Sequence, residues 1–257
     1  MASASTPAGF VHRHHSGGVA LTWAAVSDWV HDILQADTLH GWAGHHSDRI
    51  DFAGRGRVHS VPAPHSGPQG RARWAVRHYH RGGAMAMHME DRYLRWGTPR
   101  PLREIAAIEA SRSRGIRTPA PVAGVTYDHN MWYRCDLATE VVPHVRTLID
   151  MLHEHDGTRG WLKSMARAGD VIRSLAASGI YHVDLNARNI LLSDDPAEPG
   201  WVVDLDRARV LRGPSTRAAE RMELRLIRSI VKIGTPTGEH LGDRELMRAL
   251  ATRSSDL

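Results

Sequence analysis

The chain has 257 residues, 42% hydrophobic and 24% charged, which suits a folded protein of one large domain or two lobes and excludes a disordered or fibrous one. A single cysteine, Cys135, excludes an intramolecular disulfide; no basic-plus-apolar leader and no apolar run of about 18 residues is present, so the cytoplasm is the expected compartment. The net charge of +5 suits an anionic partner, and with only two lysines, Lys163 and Lys232, any cation needed earlier in the chain must be arginine or histidine.

Residues 1–20 are rich in small and turn-forming residues and read as a mobile tail. The cluster His12, His14 and His15 has no carboxylate or cysteine at ligand spacing, so it reads as surface rather than as a metal tract. In 22–35, Trp23, Val26, Trp29, Val30, Ile33 and Leu34 recur at helical spacing and predict an amphipathic helix. Its polar face is acidic, which favours packing on the body over a membrane.

From Asp51 the texture changes to strand-like runs broken by glycine and proline, "DFAGRGRVHSV", "VPAPHSGPQGRA" and "RWAVRHYH". A helix follows over 100–115, closed by Gly115, and strands return over 118–142. Helices then dominate at 144–155, 160–178 and 216–233, with a hairpin-like pair "NILL" and "WVVDL" between the last two. The expected organisation is a tail and amphipathic helix (1–45), a β-rich lobe with one helix (46–140) and a larger helical lobe (141–257). That is an α+β arrangement with a cleft between lobes.

The chemistry concentrates in "IYHVDLNARNILL". His182, Asp184, Leu185 and Asn189 have the spacing H-x-D-L-x-x-x-N of a kinase catalytic loop, and Asp204 ends an apolar run twenty residues after Asp184. Phosphoryl transfer needs a base beside the attacking hydroxyl and oxygen ligands that hold Mg²⁺ on the phosphates. Asp184 fits the base, and Asn189 and Asp204 fit the metal ligands. The alternative is that these residues cap secondary-structure ends.

Upstream, "FAGRGRV" offers Gly54 and Gly56 for a turn over phosphates. "WAVRHY" puts Arg77 where a kinase strand carries lysine, with Glu104, or else Glu109, as its partner on the next helix. Arginine there signals either lost function or a bidentate substitute for lysine.

Taken together, "RHYHRGG" (77–83), residues 91–124, "YRCDLATE" (133–140), "HVDLNARNILL" (182–192), "VVDLDRARV" (202–210) and "RLIRSIVK" (225–232) resemble the lipopolysaccharide kinases, and among them the 3-deoxy-D-manno-octulosonic acid (Kdo) kinases. The resemblance covers about residues 48–235 and implies a bilobal protein-kinase-like fold. It also implies ATP and Mg²⁺ as cofactors, a Kdo-lipid A type acceptor and work at the cytoplasmic face of the inner membrane, with no nucleic-acid partner. Within that family Arg77 reads as a shared trait. Arg81, Gly82 and Gly83 then suit a basic loop near the acceptor's carboxylate, and Arg217, Arg221, Arg225 and Arg228 give one basic helical face, suited to lipid or to internal ion pairs. "DLD" in place of D-F-G puts Asp206 where a switch glycine would stand, so no activation-loop mechanism is expected. Two other readings are a kinase of this fold with a small-molecule or protein acceptor, and a nucleotide-binding pseudokinase scaffold.

Overall fold

The computed structural model describes residues 6–52, 58–80, 91–154, 158–233 and 243–256. The chain forms two compact units, Met1–Glu109 with Pro119–Val142, and Ala110–Thr118 with Pro143–Leu257.

The first unit is built on one antiparallel sheet. Its strands are β1 (Phe10–His15), β2 (Gly18–Trp23), β3 (Ile50–Phe52), β4 (Val58–Pro62), β5 (Arg73–His78), β6 (Tyr93–Leu94), β7 (Pro121–His129) and β8 (Trp132–Glu140). They run in the order β1-β2-β7-β8-β5-β4-β3, with β6 beside β8. Helices α1 (Ser27–Ile33) and α2 (Leu39–His45) follow β2, and α3 (Arg100–Arg112) precedes β7.

Side chains alternate along a strand, so each face of the sheet builds its own core. On one face Val61, Trp74, Val76 and Val125 pack with Val30 of α1 and Leu39 of α2. On the other, Tyr79, Cys135 and Leu137 pack with Leu102 and Ile105 of α3. Trp74 is fully buried, and its truncation to alanine would cost about 3–5 kcal/mol. Cys135 is also fully buried, and burial pushes its thiol pKa up.

The N-terminal segment corrects the sequence reading. Within residues 1–20, Phe10–His15 form a strand paired along its whole length with β2, which itself pairs with β7. Phe10 and Leu21 are buried in the core shared with α3 and Ala20 in the core shared with α1, so backbone pairing and apolar burial together hold the segment. A Cβ on Gly18 (φ +153) would sit 2.2 Å from the Thr126 carbonyl oxygen, so this glycine permits the close approach. The helix expected over 22–35 is regular α-helix only from Ser27 to Ile33, because Thr22 and Trp23 remain in β2, opposite Ala123 and Phe10.

α3 stops at a Schellman cap. Gly115, at φ 81, donates to the Arg112 carbonyl at 2.9 Å, and Ile116 donates to the Ser111 carbonyl at 3.0 Å.

The second unit carries β9 (Val145–Thr147), α4 (Leu148–Glu154), α5 (Thr158–Ala177), β10 (Ile180–Tyr181), β11 (Ile190–Ser193), β12 (Trp201–Val202), β13 (Arg209–Val210), α6 (Thr216–Ile233) and α7 (Asp243–Ala251). α5 is its central element and packs on both α6 and α7. Contact with α7 is close at Gly169, where a Cβ would lie 2.0 Å from the Leu250 carbonyl oxygen. Among the described residues no helix is long and apolar enough to cross a membrane.

Candidate active site

α5 delivers the chain to the site and must be stopped sharply. Gly179 does this at φ 67, in a turn where a Cβ would meet the Gly213 carbonyl oxygen at 2.9 Å. β10 then pairs with β13, and the Leu211 N–H donates to the Gly179 carbonyl at 2.7 Å. Residues 182–208 are thus a loop tied at both ends.

Inside that loop β11 and β12 form a hairpin with Ile190 opposite Val202. The ladder runs one bond further, from the Val203 N–H to the Asn189 carbonyl at 2.9 Å. This register brings Asn189 beside the residue preceding Asp204 at one end of the hairpin. Arg167, buried on α5, fixes the opposite end by donating to the carbonyls of Ser193, Asp195 and Glu198 at 2.8, 3.0 and 3.1 Å.

His182 bridges the two limbs. Its buried Nε2 lies 3.1 Å from the Val203 carbonyl oxygen and donates to it. Burial lowers its pKa, only partly offset by that bond and by the charges of Asp204 and Asp184, so the ring is neutral at pH 7.

Asp184 is held at two places. Its carbonyl accepts from the side-chain amides of Asn186 at 3.0 Å and Asn189 at 3.2 Å. Its carboxylate accepts from Arg207 on one oxygen at 2.7 Å and from Arg225 of α6 on the other at 3.2 Å. With Nδ2 committed to Asp184, Asn189 keeps Oδ1 as a free acceptor among the described residues. Asp204 is exposed and sits at φ 65, a left-handed conformation that costs a non-glycine residue about 1–3 kcal/mol and recurs where function holds the backbone in place.

In the first unit, Arg77 of β5 forms an ion pair with Glu104 of α3. Glu104, 1% exposed, also accepts from the Tyr79 hydroxyl at 2.5 Å. Burial, then the nearby Glu104 charge, raises the Tyr79 pKa well above its usual value, so the phenol remains a donor. The Arg77 guanidinium lies 4.6 Å from the centre of the Tyr79 ring. Of the two glutamates left open by the sequence, Glu104 is the one paired with Arg77.

Asp184, Asn189 and Asp204 therefore belong to one loop of the second unit, and Arg77 and Glu104 to the first. Gly54, Gly56 and Arg81–Gly83 lie outside the described residues. Tyr79, Arg207 and Asn186 were not singled out from the sequence. For Tyr79 a signal existed, since two residues after Arg77 on a strand means the same face. Arg225, read as part of a basic face, is an ion-pair partner of Asp184. Among the described residues no group of three or more His, Cys, Asp or Glu could hold a metal ion, and His15 of the N-terminal histidine cluster lies 3.0 Å from the Thr126 carbonyl oxygen.

Comparison with known proteins meets this geometry. Residues 53–242 match the family described as Lipopolysaccharide kinase (Kdo/WaaP). The chain is 34% identical over 194 residues to a 3-deoxy-D-manno-octulosonic acid kinase of Xylella fastidiosa (strain M12), covering 75% of this chain and 73% of that protein. It is 36% identical over 194 residues to the protein of the same name from Xanthomonas oryzae pv. oryzae (strain PXO99A), covering 74% and 72%. Its fold is similar to that of a solved structure, WaaP in complex with acyl carrier protein, with a TM-score of 0.51, 16% identity and coverage of 90% and 89%. That likeness agrees with the kinase-like α+β fold expected from the sequence. By the family match and the two relatives, the chain belongs to the lipopolysaccharide kinase (Kdo/WaaP) family and is a kinase of lipopolysaccharide core biosynthesis.

Proposed function

We propose that this kinase transfers the γ-phosphoryl group of ATP to a hydroxyl of a Kdo residue on a lipid A precursor. The observation that carries the reading is the single loop bearing Asp184, Asn189 and Asp204, braced by His182 and Arg167. Asp184, its side chain 35% exposed, accepts the hydroxyl proton as that oxygen bonds to the γ-phosphorus and the bond to the bridging oxygen breaks, releasing ADP.

The donor set suits Mg²⁺, which takes oxygen ligands and completes its shell with phosphate and water. The Asn189 Oδ1 and the Asp204 carboxylate are such oxygens, and the Asn189 amide is oriented for this by its bond to Asp184. When bound, the cation neutralises phosphate charge. Arg77, oriented by Glu104 and Tyr79, supplies the cation for the α/β-phosphates, and Gly54 and Gly56, outside the described residues, stay the sequence's candidates for binding them. The names of the two relatives support Kdo as the acceptor sugar.

A lipid acceptor places the reaction at the cytoplasmic face of the inner membrane. Supporting a peripheral contact, α6 exposes Arg217, Arg221 and Arg228 together with Leu224 and Val231. Purified protein with ATP, Mg²⁺ and Kdo-bearing lipid A precursor should yield an acceptor one phosphate heavier by mass spectrometry. An unmodified acceptor alongside ATP turnover on another alcohol would sink the Kdo assignment, and sedimentation with anionic vesicles tests the membrane contact separately.

A further inference from the structure

The base of this site is encumbered in a way that phosphoryl transfer does not require. Each carboxylate oxygen of Asp184 accepts from a guanidinium, so a hydroxyl approaching this base must share its oxygen with an arginine. The partners differ. Arg207 follows Asp204 in the loop and bonds at 2.7 Å, whereas Arg225 comes from α6 and bonds at 3.2 Å. Both arginine side chains are open to solvent, 62% and 46% exposed, and exposed pairs of this kind hold by less than about 1 kcal/mol. The Arg225 bond is therefore cheap to exchange.

What could replace Asp184 as its partner is an anion arriving with the acceptor. Guanidinium carries five N–H donors in a planar fork, and Arg225 commits one to Asp184. Arg221 and Arg228 lie four residues before and three after it, both exposed and making no ion pair among the described residues, so an approaching anion meets a continuous basic row. Kdo is a sugar acid whose carboxylate stays free in its glycosides, a planar two-oxygen group that matches the fork.

We infer that Arg225 is the acceptor-carboxylate residue of this kinase: the sugar's carboxylate takes Arg225 from Asp184 and so frees an oxygen of the base in the same event. Arg207 keeps its bond and orients Asp184. A carboxylated acceptor is thus selected twice, by binding and by unmasking the base. The inference rests on the Kdo reading above.

The test compares two acceptors, the Kdo-bearing lipid A precursor and its carboxyl-reduced derivative, with wild type, Arg225→Ala, Arg225→Lys and Arg207→Ala. With the acid acceptor, Arg225→Ala should reduce kcat/KM at least about tenfold, mainly through KM, and Arg225→Lys should restore part of it. With the reduced acceptor, wild type should lose kcat as well as affinity because its base stays masked, Arg225→Ala should turn over faster than wild type because its base is already free, and Arg207→Ala should slow both acceptors alike. Unchanged thermal melting and ATP affinity identify a properly folded Arg225→Ala protein, and Arg225→Lys repeats the comparison if it melts early. If the loss from Arg225→Ala is the same for both acceptors, Arg225 only positions Asp184 and the inference is wrong. If wild type phosphorylates neither acceptor, the Kdo reading itself has failed.

Discussion

Two arginine–carboxylate arrangements, one in each unit, use the same groups to different ends. Glu104 is 1% exposed and accepts from both Arg77 and Tyr79 on Oε2, whereas Asp184 is 35% exposed and its arginine partners more so. Removing one partner of a buried pair leaves a charge in low dielectric and costs about 3–5 kcal/mol, while an exposed pair is worth about 0–1 kcal/mol. The first arrangement therefore holds Arg77 in a fixed place, while the second is open enough to exchange its partners. Burial, not residue type, makes the difference.

The largest effect should come from the exposed arrangement and fall on rate alone. Asp184→Asn is expected to lower kcat by about 10²–10⁴ with the melting temperature and ATP affinity close to wild type, read by steady-state kinetics and calorimetry. A large loss of stability instead would make Asp184 architectural and abolish the contrast. The pair whose carboxylate is buried should behave in the opposite way: Arg77→Ala, which leaves Glu104 without its guanidinium, should lose about 1–3 kcal/mol in urea unfolding, with Arg77→Lys intermediate. An unchanged unfolding midpoint would show that Glu104 does not depend on Arg77.

A smaller effect is expected at Asp204. Asn tolerates the left-handed backbone there, so Asp204→Asn should keep the fold and weaken only the Mg²⁺-dependent part of ATP binding, by roughly tenfold. Titrating ATP with and without Mg²⁺ separates the two parts, and an equal loss in both would remove Asp204 from the metal's ligand set.

The smallest effect is a pH response of opposite sign in the two units. Burial lowers the His182 pKa below 6.5, so the unfolded state binds the proton more readily, and stability present above pH 6.5 is lost as pH falls from there toward the folded value. At His78, burial alone would lower the pKa, but the bonded Asp136 carboxylate, with Asp91, outweighs it and raises the value above 6.5. That contribution is present below pH 6.5 and lost as pH rises through the raised value. Each is limited to about 1.4 kcal/mol per pH unit. Hydrogen exchange at pH 5.5 and 7.5, corrected for intrinsic rates, should show β10–β12 loosening in acid while β5 and β8 tighten. The same direction in both would contradict the assignment.

The sequence made the site more legible than the N-terminal architecture around it. Asp184 and Asn189 share one short loop, and Asp204 follows across a hairpin whose apolar strands are visible in the chain, so spacing alone locates all three. Arg207 and Arg225 stand 23 and 41 residues from Asp184, where no local rule links side chains and only tertiary packing decides. The N-terminal strands were missed for another reason. Glycine and histidine at 12–18 carry weak strand preference, and their pairing depends on β7, about a hundred residues away. The helix over 22–35 was misplaced at its start because Trp23 fits the helical period while serving β2.

Cys135 gives this molecule an experimental convenience. It is the only thiol in the chain, fully buried, and its raised pKa keeps it protonated, so reagents that seek an exposed thiolate will pass it by. A cysteine introduced at exposed Met131 in the first unit, or at exposed Val231 in the second, would then react alone. Spectroscopic labels can be attached to either unit of the native sequence without first removing a residue, and the distance between them followed as nucleotide and acceptor are added.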